Sequence, residues 1–272
     1  MRVLVTGAGG MLGAEIVAAL DREHDVLAHD RNVGDLRDRA QVEPLLAGVD
    51  AVIHAAALPS PLSAAEPEVF GNNVDAAFHL LDAAGRAGVK RIVYVSSLSA
   101  LGLAWSSRPV SPLFAPVTEA HPYVGDDVYG LSKLVGELVA ETVSRRWGCD
   151  VISLRFPFIG SGERLQRHLD HVRRDPGADR ASLWSWLDTR DAARAVIAAL
   201  TARVDGYALV NVAAPDTTSL IPTAELMWMF HPTTRIDGPL GRYAVPFSLE
   251  LSRSLLGFTA VHRWRPTIGG SA

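Results

Sequence analysis

The hydrophobic pattern of residues 1–156 alternates between short apolar runs and longer segments in which apolar residues recur with helical spacing. The runs predict buried strands and the spaced segments predict amphipathic helices, the first of which has Leu12, Ile16 and Leu20 on one face. The predicted strands are 2–6, 25–29, 51–54, 91–96, 151–156 and 207–212. The predicted helices are 11–20, 42–46, 73–84, 127–146, 191–200 and 223–230, and Asp191 is the expected N-cap of the fifth.

This alternation predicts an α/β fold, a doubly wound parallel sheet of Rossmann type with helices on both faces. Ligands of such sheets bind beyond the carboxyl ends of the strands. From Pro157 the pattern changes, because residues 158–187 are rich in charge, Gly and Pro and contain no clear strand. We expect a sheet domain of residues 1–156 and 190–212, and a small substrate-binding lobe of residues 157–189 and 213–272.

Composition narrows the class of protein. The chain has 272 residues, a formal net charge of −4 and one cysteine, Cys149. The mildly acidic balance argues against nucleic acid as a partner. One cysteine excludes an intrachain disulfide framework and fits a cytoplasmic protein. No apolar run reaches the roughly 20 residues of a membrane helix, and the opening run is too short for a signal peptide, so we expect neither.

A glycine-rich turn joins the first strand to the first helix, in the segment Thr6-Gly7-Ala8-Gly9-Gly10-Met11-Leu12-Gly13. Gly7 permits the tight turn, Gly10 lets a pyrophosphate approach the backbone, and Gly13 lets the helix pack close to the sheet. The helix N-terminus then offers free N–H groups to phosphate. The context predicts a dinucleotide site, the alternative being a tight turn without a ligand.

Asp30 ends the second strand, at the spacing expected for the acidic residue that binds the adenosine ribose hydroxyls. A carboxylate there repels a 2′-phosphate and so favours NAD over NADP. Arg31 complicates this assignment, because an arginine can pair with that phosphate. Arg31 therefore leaves NADP open, unless its side chain is only a solvated surface charge or stacks on adenine.

A serine and a tyrosine–lysine pair suggest acid–base chemistry. The fourth strand ends in Ser96-Ser97, and the longest helix carries Tyr129 and Lys133 at positions i and i+4, on one face. A protonated lysine near a phenol is expected to lower the phenol pKa, so that Tyr129 exchanges a proton with a hydroxyl near neutral pH. Ser97 is placed to bind the same substrate oxygen. An ordinary surface pair is the alternative for Tyr129 and Lys133 alone.

Together these motifs resemble the extended short-chain dehydrogenase/reductases, often called NAD-dependent epimerase/dehydratases. The resemblance covers residues 1–200 in the family's order. Besides the glycine turn and Tyr129–Lys133, the matching segments are Asp35-Leu36, Val52–Ala57, Asn73-Val74, Tyr94–Ser97, Leu154–Pro157 and Arg190–Ala195.

The resemblance implies a role for each matching residue. Tyr129 would be the acid/base, Lys133 its pKa tuner and a nicotinamide-ribose ligand, and Ser97 the ligand of the substrate oxygen. Asn73 would support the active-site helix. Ser97 is chosen because it lies five residues before Gly102, whereas Ser96 is expected to satisfy backbone groups. The implied cofactor-binding residues are Gly7, Gly10, Met11, Leu12, Gly13, Asp30, Arg31, Asp35, Leu36, Ala55, Ala56, Ala57, Asn73, Tyr129, Lys133, Pro157 and Phe158.

Departures from the family narrow the reaction. The dehydratase branch carries an acidic pair directly after its active-site serine or threonine, whereas this chain has Leu98 and Ser99, so a dehydratase is disfavoured. The expected reaction is hydride transfer at a hydroxyl or keto carbon of a sugar or sugar acid. The alternatives are a nucleotide-sugar epimerase, an NADP-dependent aldehyde or ketone reductase, and a non-catalytic cofactor-binding regulator.

The short build resembles uronate dehydrogenases, which oxidise a free sugar acid at its anomeric carbon. A carboxylate substrate needs a cation, and Arg164 and Arg167 are candidates, although each alone is more typical of a solvated helix face. Ser97, Ser99 and Arg164 are the expected substrate-binding residues. His168 and His171 lack a third ligand, so no metal is expected. The resemblance also implies a homodimer formed by the helices predicted at 73–84 and 127–146.

Overall fold

The predicted apolar runs form the strands of a six-stranded parallel sheet in the computed structural model, which describes residues 1–20 and 23–265. The strands of the protein are β1 Arg2–Thr6, β2 Asp25–His29, β3 Ala51–His54, β4 Arg91–Ser97, β5 Phe114–Ala115, β6 Asp150–Phe156, β7 Phe158–Ile159, β8 Trp186–Leu187, β9 Tyr207–Asn211 and β10 Arg235–Ile236. The order along the six-stranded sheet is β2-β1-β3-β4-β6-β9.

Eight α-helices are assigned within the described residues. They are α1 Met11–Leu20, α2 Arg39–Val42, α3 Glu66–Arg86, α4 Val128–Trp147, α5 Gly162–Arg174, α6 Thr189–Thr201, α7 Thr223–Phe230 and α8 Glu250–Ser254. Three 3₁₀ segments lie at Glu43–Leu46, Leu98–Leu101 and Pro176–Ser182. None of these helices is long and apolar enough to cross a membrane.

Successive side chains of each strand point to opposite faces, and both faces are covered by helices. On one face Val3, Ile53 and Val93 pack against α1 and α6. On the other face Leu4 and Val52 pack against α3 and α4. The expected doubly wound α/β fold is therefore confirmed. The order of strands reverses beside β1, whose neighbours are β2 and β3, so the carboxyl ends of these strands define the crevice.

The structure corrects four expectations. Helix α6 has Asp188 as its N-cap, because the Asp188 carboxylate accepts from the Arg190 N–H, while Asp191 lies buried in the first turn. The region 158–187, in which no clear strand was expected, contains the paired strands β7 and β8 as well as α5. The helix predicted at 73–84 extends over Glu66–Arg86. The helix predicted at 42–46 is α2 followed by a 3₁₀ turn.

The tail after α8 also departs from its expected place in the lobe. Leu256, Phe258 and Ala260 pack into the core between the sheet and α1 and α6. The Asp191 carboxylate holds this stretch by accepting the N–H groups of Val261 and His262. Residues 255–262 therefore pack with the sheet, and the expected end of the lobe at 266–272 lies outside the described residues.

Candidate active site

The glycine turn fits a dinucleotide because its backbone leaves no room for side chains. Gly7 has a φ of +70°, and a Cβ there would lie 2.7 Å from the Ala56 nitrogen. A Cβ on Gly13 would collide with the Gly7 carbonyl oxygen, and one on Gly10 would come within 3.2 Å of that oxygen. The first turn of α1 follows directly, so its N–H groups, which have no partner within the helix, face this crevice.

Asp30 fixes the turn from the neighbouring strand. One oxygen of its carboxylate accepts the Gly9 N–H at 2.8 Å, and the other accepts the Arg31 N–H at 2.7 Å. The Asp30 carboxylate therefore lies where β1 and β2 end, beside the glycine turn. The Arg31 residue is exposed.

Two residues were expected near the adenine. Of these, Leu36 is buried, whereas the Asp35 side chain forms an ion pair with a nearby arginine. The Asp35 carboxylate accepts two hydrogen bonds from the Arg37 guanidinium at 3.0 and 2.7 Å, which lowers the pKa of Asp35. Ala55 and Ala56 lie directly behind the turn, where a Cβ on Gly7 would contact their backbone.

Asn73 connects this crevice to the helix that carries Tyr129. Its side-chain amide exchanges hydrogen bonds with both backbone groups of Leu58, at 2.8 and 3.1 Å, and donates to the Ser132 hydroxyl at 3.1 Å. Ser132 in turn donates to the Tyr129 carbonyl. Asn73 is 3% exposed, so these bonds fix the start of α4 against the loop after β3.

Glycines also bring the end of β4 to the start of α4. Gly102 has a φ of +79°, and its backbone touches that of Gly125 so closely that a Cβ on either would collide with the other. A Cβ on Gly130 would collide with the Ser99 carbonyl oxygen. These contacts bring the end of β4, with Ser97, next to the start of α4, with Tyr129, and the Ser97 hydroxyl acts to lower the Tyr129 pKa.

Ser97, Tyr129 and Lys133 thus meet at the carboxyl edge of the sheet. Ser97 also caps the 3₁₀ turn after β4, by accepting the Ser99 N–H at 3.1 Å. The Lys133 ammonium donates to the Val95 carbonyl at 2.9 Å and lies 5.3 Å from the centroid of the Tyr94 ring. Tyr129 and Lys133 are 7% and 5% exposed, so this pair is buried rather than an ordinary surface pair.

Burial dominates the acid–base properties of this pair. Burial raises the pKa of Tyr129 to about 12, although the Ser97 hydroxyl acts in the opposite direction. Burial lowers the pKa of Lys133 to about 8, while the Glu137 carboxylate opposes that change. Desolvation of the phenol outweighs the lowering influence of Ser97, so the net shift of the Tyr129 pKa is upward, and the tuning of Tyr129 by Lys133 stays a prediction.

Ser96 has a partner other than the expected backbone groups. Its hydroxyl donates to Glu137, whose carboxylate also accepts from the Arg155 guanidinium at 2.9 and 2.7 Å. The side chains of Glu137 and Arg155 are each 4% exposed. This buried ion pair lies one helical turn after Lys133 and ties α4 to β6.

Two cavities share Leu103 and Ala181 in their linings, and one of them is also lined by Ser97. The smaller, of about 40 Å³, is lined by Ser97, Ser99 and Phe156–Phe158 on one side and by Leu103 and Ala181 on another. The larger, of about 120 Å³, shares Leu103 and Ala181 and adds Arg108 and Arg180. Sequence reasoning missed both arginines, because they lie outside every motif.

The arginine expected to bind substrate has other partners. The Arg164 guanidinium donates to the Ile159 carbonyl at 3.0 Å and lies 4.9 Å from the centroid of the Phe158 ring. That ring also stacks on His168 at 4.1 Å. Arg167 pairs with Glu163 on the exposed side of α5. Within residues 1–20 and 23–265, no group of His, Cys, Asp and Glu side chains could hold a metal ion.

The fold and the glycine turn define a protein of the dinucleotide-binding class, and comparison with known proteins specifies the family. The family described as "NAD dependent epimerase/dehydratase family" matches residues 3–213. The chain belongs to this family, and the resemblance seen in the sequence is confirmed.

Individual relatives are similar over part of their length. Uronate dehydrogenase of Pseudomonas putida is 34% identical over 175 residues, which are 59% of this chain and 60% of that protein. L-arabinose 1-dehydrogenase (NAD(P)(+)) of Haloferax volcanii is 30% identical over 182 residues, 62% of this chain and 71% of that protein. The match to the Pseudomonas protein thus spans less than two thirds of its length.

A solved structure extends the similarity over nearly the whole chain. A short-chain dehydrogenase/reductase superfamily protein of Agrobacterium tumefaciens, with bound NAD, superposes with a TM-score of 0.73 at 26% identity and covers 97% of this chain and 93% of that chain. A UDP-galactose 4-epimerase superposes with a TM-score of 0.69 at 24% identity, which supports the fold.

Proposed function

We propose that the protein is an NAD-dependent dehydrogenase that oxidises a hydroxyl of a sugar carrying a negative charge, a sugar acid in the first instance. The observation that carries the proposal is the buried Tyr129–Lys133 pair at the start of α4, which is brought next to the end of β4 with Ser97, at the sheet edge that also holds the glycine turn. The names of the Pseudomonas and Haloferax relatives, a uronate and an arabinose dehydrogenase, agree with this class of reaction.

In this proposal the backbone at Gly7, Gly10 and Gly13 holds the pyrophosphate of NAD. The Asp30 carboxylate accepts hydrogen bonds from the hydroxyls of the adenosine ribose. Bound NAD supplies the hydride acceptor at its nicotinamide. The Asp30 carboxylate, placed by the Gly9 and Arg31 N–H groups, would repel a 2′-phosphate and so favours NAD. Pro157 and Phe158 border the nicotinamide position after β6.

Tyr129 takes the proton from the substrate hydroxyl while Ser97 orients that oxygen. The buried Lys133 ammonium stabilises negative charge on the phenol oxygen. Asn73 holds the start of α4 in position against the loop after β3. Each of these groups is fixed by the contacts described above.

The two arginines of the larger cavity support an anionic substrate. The described residues offer the Arg180 guanidinium no ion pair, whereas that of Arg108 lies 3.8 Å from the Asp126 carboxylate. A guanidinium binds carboxylate or phosphate through parallel hydrogen bonds. Since this cavity shares Leu103 and Ala181 with the one at Ser97, an anion at Arg180 and a hydroxyl at Ser97 would belong to one substrate.

The first test measures NADH formation with uronic acids, sugar phosphates, neutral sugars and nucleotide-sugars. We expect an anionic sugar to be the best substrate, and Arg180→Met to raise its KM by about 10–100-fold with little change in kcat, because a hydrogen bond to a charged group is lost. The KM of a neutral sugar should change little.

Arg174→Met is the matched control, because Arg174 is an exposed arginine of α5 bound to the Asp170 carbonyl. Arg164→Met tests the residue chosen from sequence. If Arg164→Met raised the KM and Arg180→Met did not, the anion would bind at α5, and the proposed role of Arg180 would be wrong. Epimer formation without net NADH, or turnover only with NADP, would contradict the proposed dehydrogenase.

We also propose that residues 157–189 and 213–250, with Trp264, form the substrate-binding lobe. Trp184 packs with Leu226, Met227 and Phe247 in one cluster, while Trp186 packs with α5 and Trp264 in another. The two tryptophans are fully buried and serve different clusters. This packing supports a lobe seated over Ser97.

The homodimer implied by the family resemblance is a further part of the proposal. Helix α4 exposes Leu131 and Leu138, seven residues apart on one side, and the adjacent α3 exposes Phe78. Leu138→Glu should convert the protein from twice the chain mass to a single chain mass in light scattering, because a charge would be buried between apolar faces. Leu62→Glu, at an 82% exposed position outside both helices, should leave the mass unchanged. A wild-type monomer would contradict the dimer.

A further inference from the structure

One histidine of α5 contacts both the wall of the Ser97 cavity and a buried carboxylate. The ring of His168 stacks on that of Phe158, with the centroids 4.1 Å apart and the planes 13° from parallel. The Nε2 atom of His168 lies 3.2 Å from Asp179 Oδ2, and the imidazole is the donor, because a carboxylate oxygen accepts. His168 therefore joins two parts of the lobe that are separate in the sequence.

Phe158 connects His168 to the reacting centre. Its ring lines the cavity that is also lined by Ser97. Pairing of β7 with β8 fixes the backbone here, and Gly160 leaves room for the ring, since a Cβ at Gly160 would lie 2.9 Å from it. A phenylalanine ring has no hydrogen-bonding group. The direction that the ring presents to the cavity therefore depends on the surfaces packed against it, which are His168 and the Arg164 guanidinium.

Asp179 connects His168 to segment 179–185, which lines both cavities. The residue is 5% exposed, and the same Oδ2 that binds His168 also accepts the Thr218 hydroxyl at 2.9 Å. A buried carboxylate is stable only with such partners. Arg180 follows Asp179 directly in the chain. The two donors therefore fix the backbone from which the Arg180 side chain extends.

The backbone of segment 179–185 is strained. Leu183 and Trp184 have φ values of +52° and +54°, in the left-handed region that residues with a Cβ rarely adopt. Such residues persist where the surroundings over-determine the conformation, and they cluster at functional sites. The Trp184 N–H donates to the Asp179 carbonyl at 3.2 Å, and the His231 ring donates to the Arg180 carbonyl at 3.0 Å. These bonds hold the segment in one costly shape beside the cavities.

We propose that His168 is a positioning residue of the substrate site. Its ring orients Phe158 at the Ser97 cavity, and its hydrogen bond to Asp179 fixes the segment that presents Arg180. The inference rests on the proposed function, in which Phe158 borders the nicotinamide and Arg180 binds an anion. An aliphatic side chain would fill the same space but could not bind the carboxylate. The two contacts should therefore affect different kinetic constants, kcat through Phe158 and KM through Arg180.

The test separates the two contacts with two variants of His168. His168→Phe keeps a flat ring on Phe158 but loses the bond to Asp179, and should raise the KM of the best anionic sugar by about 5–10-fold with little change in kcat. His168→Gln keeps a donor near the position of Nε2 but loses the stacked ring, and should lower kcat by about 5–10-fold with little change in KM. His171→Gln, at an exposed position of the same helix, should change neither constant.

Thr218→Val tests the same carboxylate from its other side. It removes the second hydrogen bond to Asp179 with little change of shape, and should raise the KM of the anionic sugar while that of a neutral sugar stays the same. If His168→Phe does not fold, a wild-type KM in Thr218→Val would overturn the inference. The inference is also wrong if both His168 variants lower thermal stability and leave kcat and KM unchanged, or change the two constants alike, because His168 would then only pack the lobe.

A second readout does not depend on any substrate. Hydrogen–deuterium exchange followed by mass spectrometry reports how firmly segment 179–185 is held. The Trp184 N–H, which donates to the Asp179 carbonyl, should exchange faster in His168→Phe than in His168→Gln or wild type. If no sugar is oxidised but the exchange changes in this way, the proposed function fails and the hydrogen bond still holds the segment. If sugars are oxidised and neither readout moves, the inference about His168 alone is wrong.

Discussion

Tyr129→Phe is expected to lower kcat on the best sugar substrate by about 10²–10⁴-fold, the usual contribution of a positioned acid or base. The change removes one oxygen from a side chain that is only 7% exposed. The ring remains, so the packing at the start of α4 is kept. Affinity for NAD, measured by titration calorimetry, should change little, because the glycine turn and Asp30 are untouched.

Tyr207→Phe is the matched control for this change. Burial also raises the pKa of Tyr207, but Tyr207 pairs with Val151 at the opposite end of the sheet. Its loss of a hydroxyl should leave turnover close to that of wild type. Tyr129→Phe with more than a tenth of wild-type turnover would show that another group moves the proton.

Glu137→Leu is expected to lower the free energy of unfolding by about 3–5 kcal/mol, because it leaves the Arg155 guanidinium buried without its counter-charge. The pair has two hydrogen bonds, at 2.9 and 2.7 Å, and both side chains are 4% exposed. The measurement is urea denaturation of the three variants Glu137→Leu, Arg155→Met and the double change. The double variant should recover most of the loss, since both charges are then removed.

The exposed pair Arg39–Glu43 provides the control. Its side chains are 47% and 52% exposed, and Glu43→Leu should change the free energy of unfolding by less than about 1 kcal/mol. A double variant as unstable as the sum of the two single variants would contradict the expectation. In that case the pair would contribute through packing and through the Ser96 hydrogen bond instead of through charge.

The elements near the crevice could be predicted because local chemistry specifies them. Gly7, Gly10 and Gly13 occupy positions that no side chain can fill, and this steric demand is written in the sequence as glycine. Strands β1 and β3 have the predicted bounds because a buried parallel strand is a continuous apolar run. Parallel strands end at the same edge, so the motifs after them were expected to meet there, as they do.

The substrate side could not be predicted in the same way. Arg108, in a loop, and Arg180, in the 3₁₀ segment Pro176–Ser182, line one cavity although they are 72 residues apart, and neither belongs to a motif. Helix α5 was missed because its sequence is mostly charged and only Leu165, Leu169 and Val172 are buried. So narrow an apolar stripe can be recognised as the buried face of a helix only when the surface that it packs against is known.

The sequence by itself determined the α/β class, the dinucleotide crevice and the residues that meet at Ser97, because these follow from periodicity and from residue types with few substitutes. Three features were decided by the tertiary structure alone. They are the hydrogen-bond partner of Ser96, the position of residues 255–262 beside Asp191, and the direction in which the pKa of Tyr129 is shifted. Those features depend on burial and on contacts between distant segments. Desolvation, which raises the pKa of Tyr129 to about 12, is a property of the folded surroundings that no local pattern encodes.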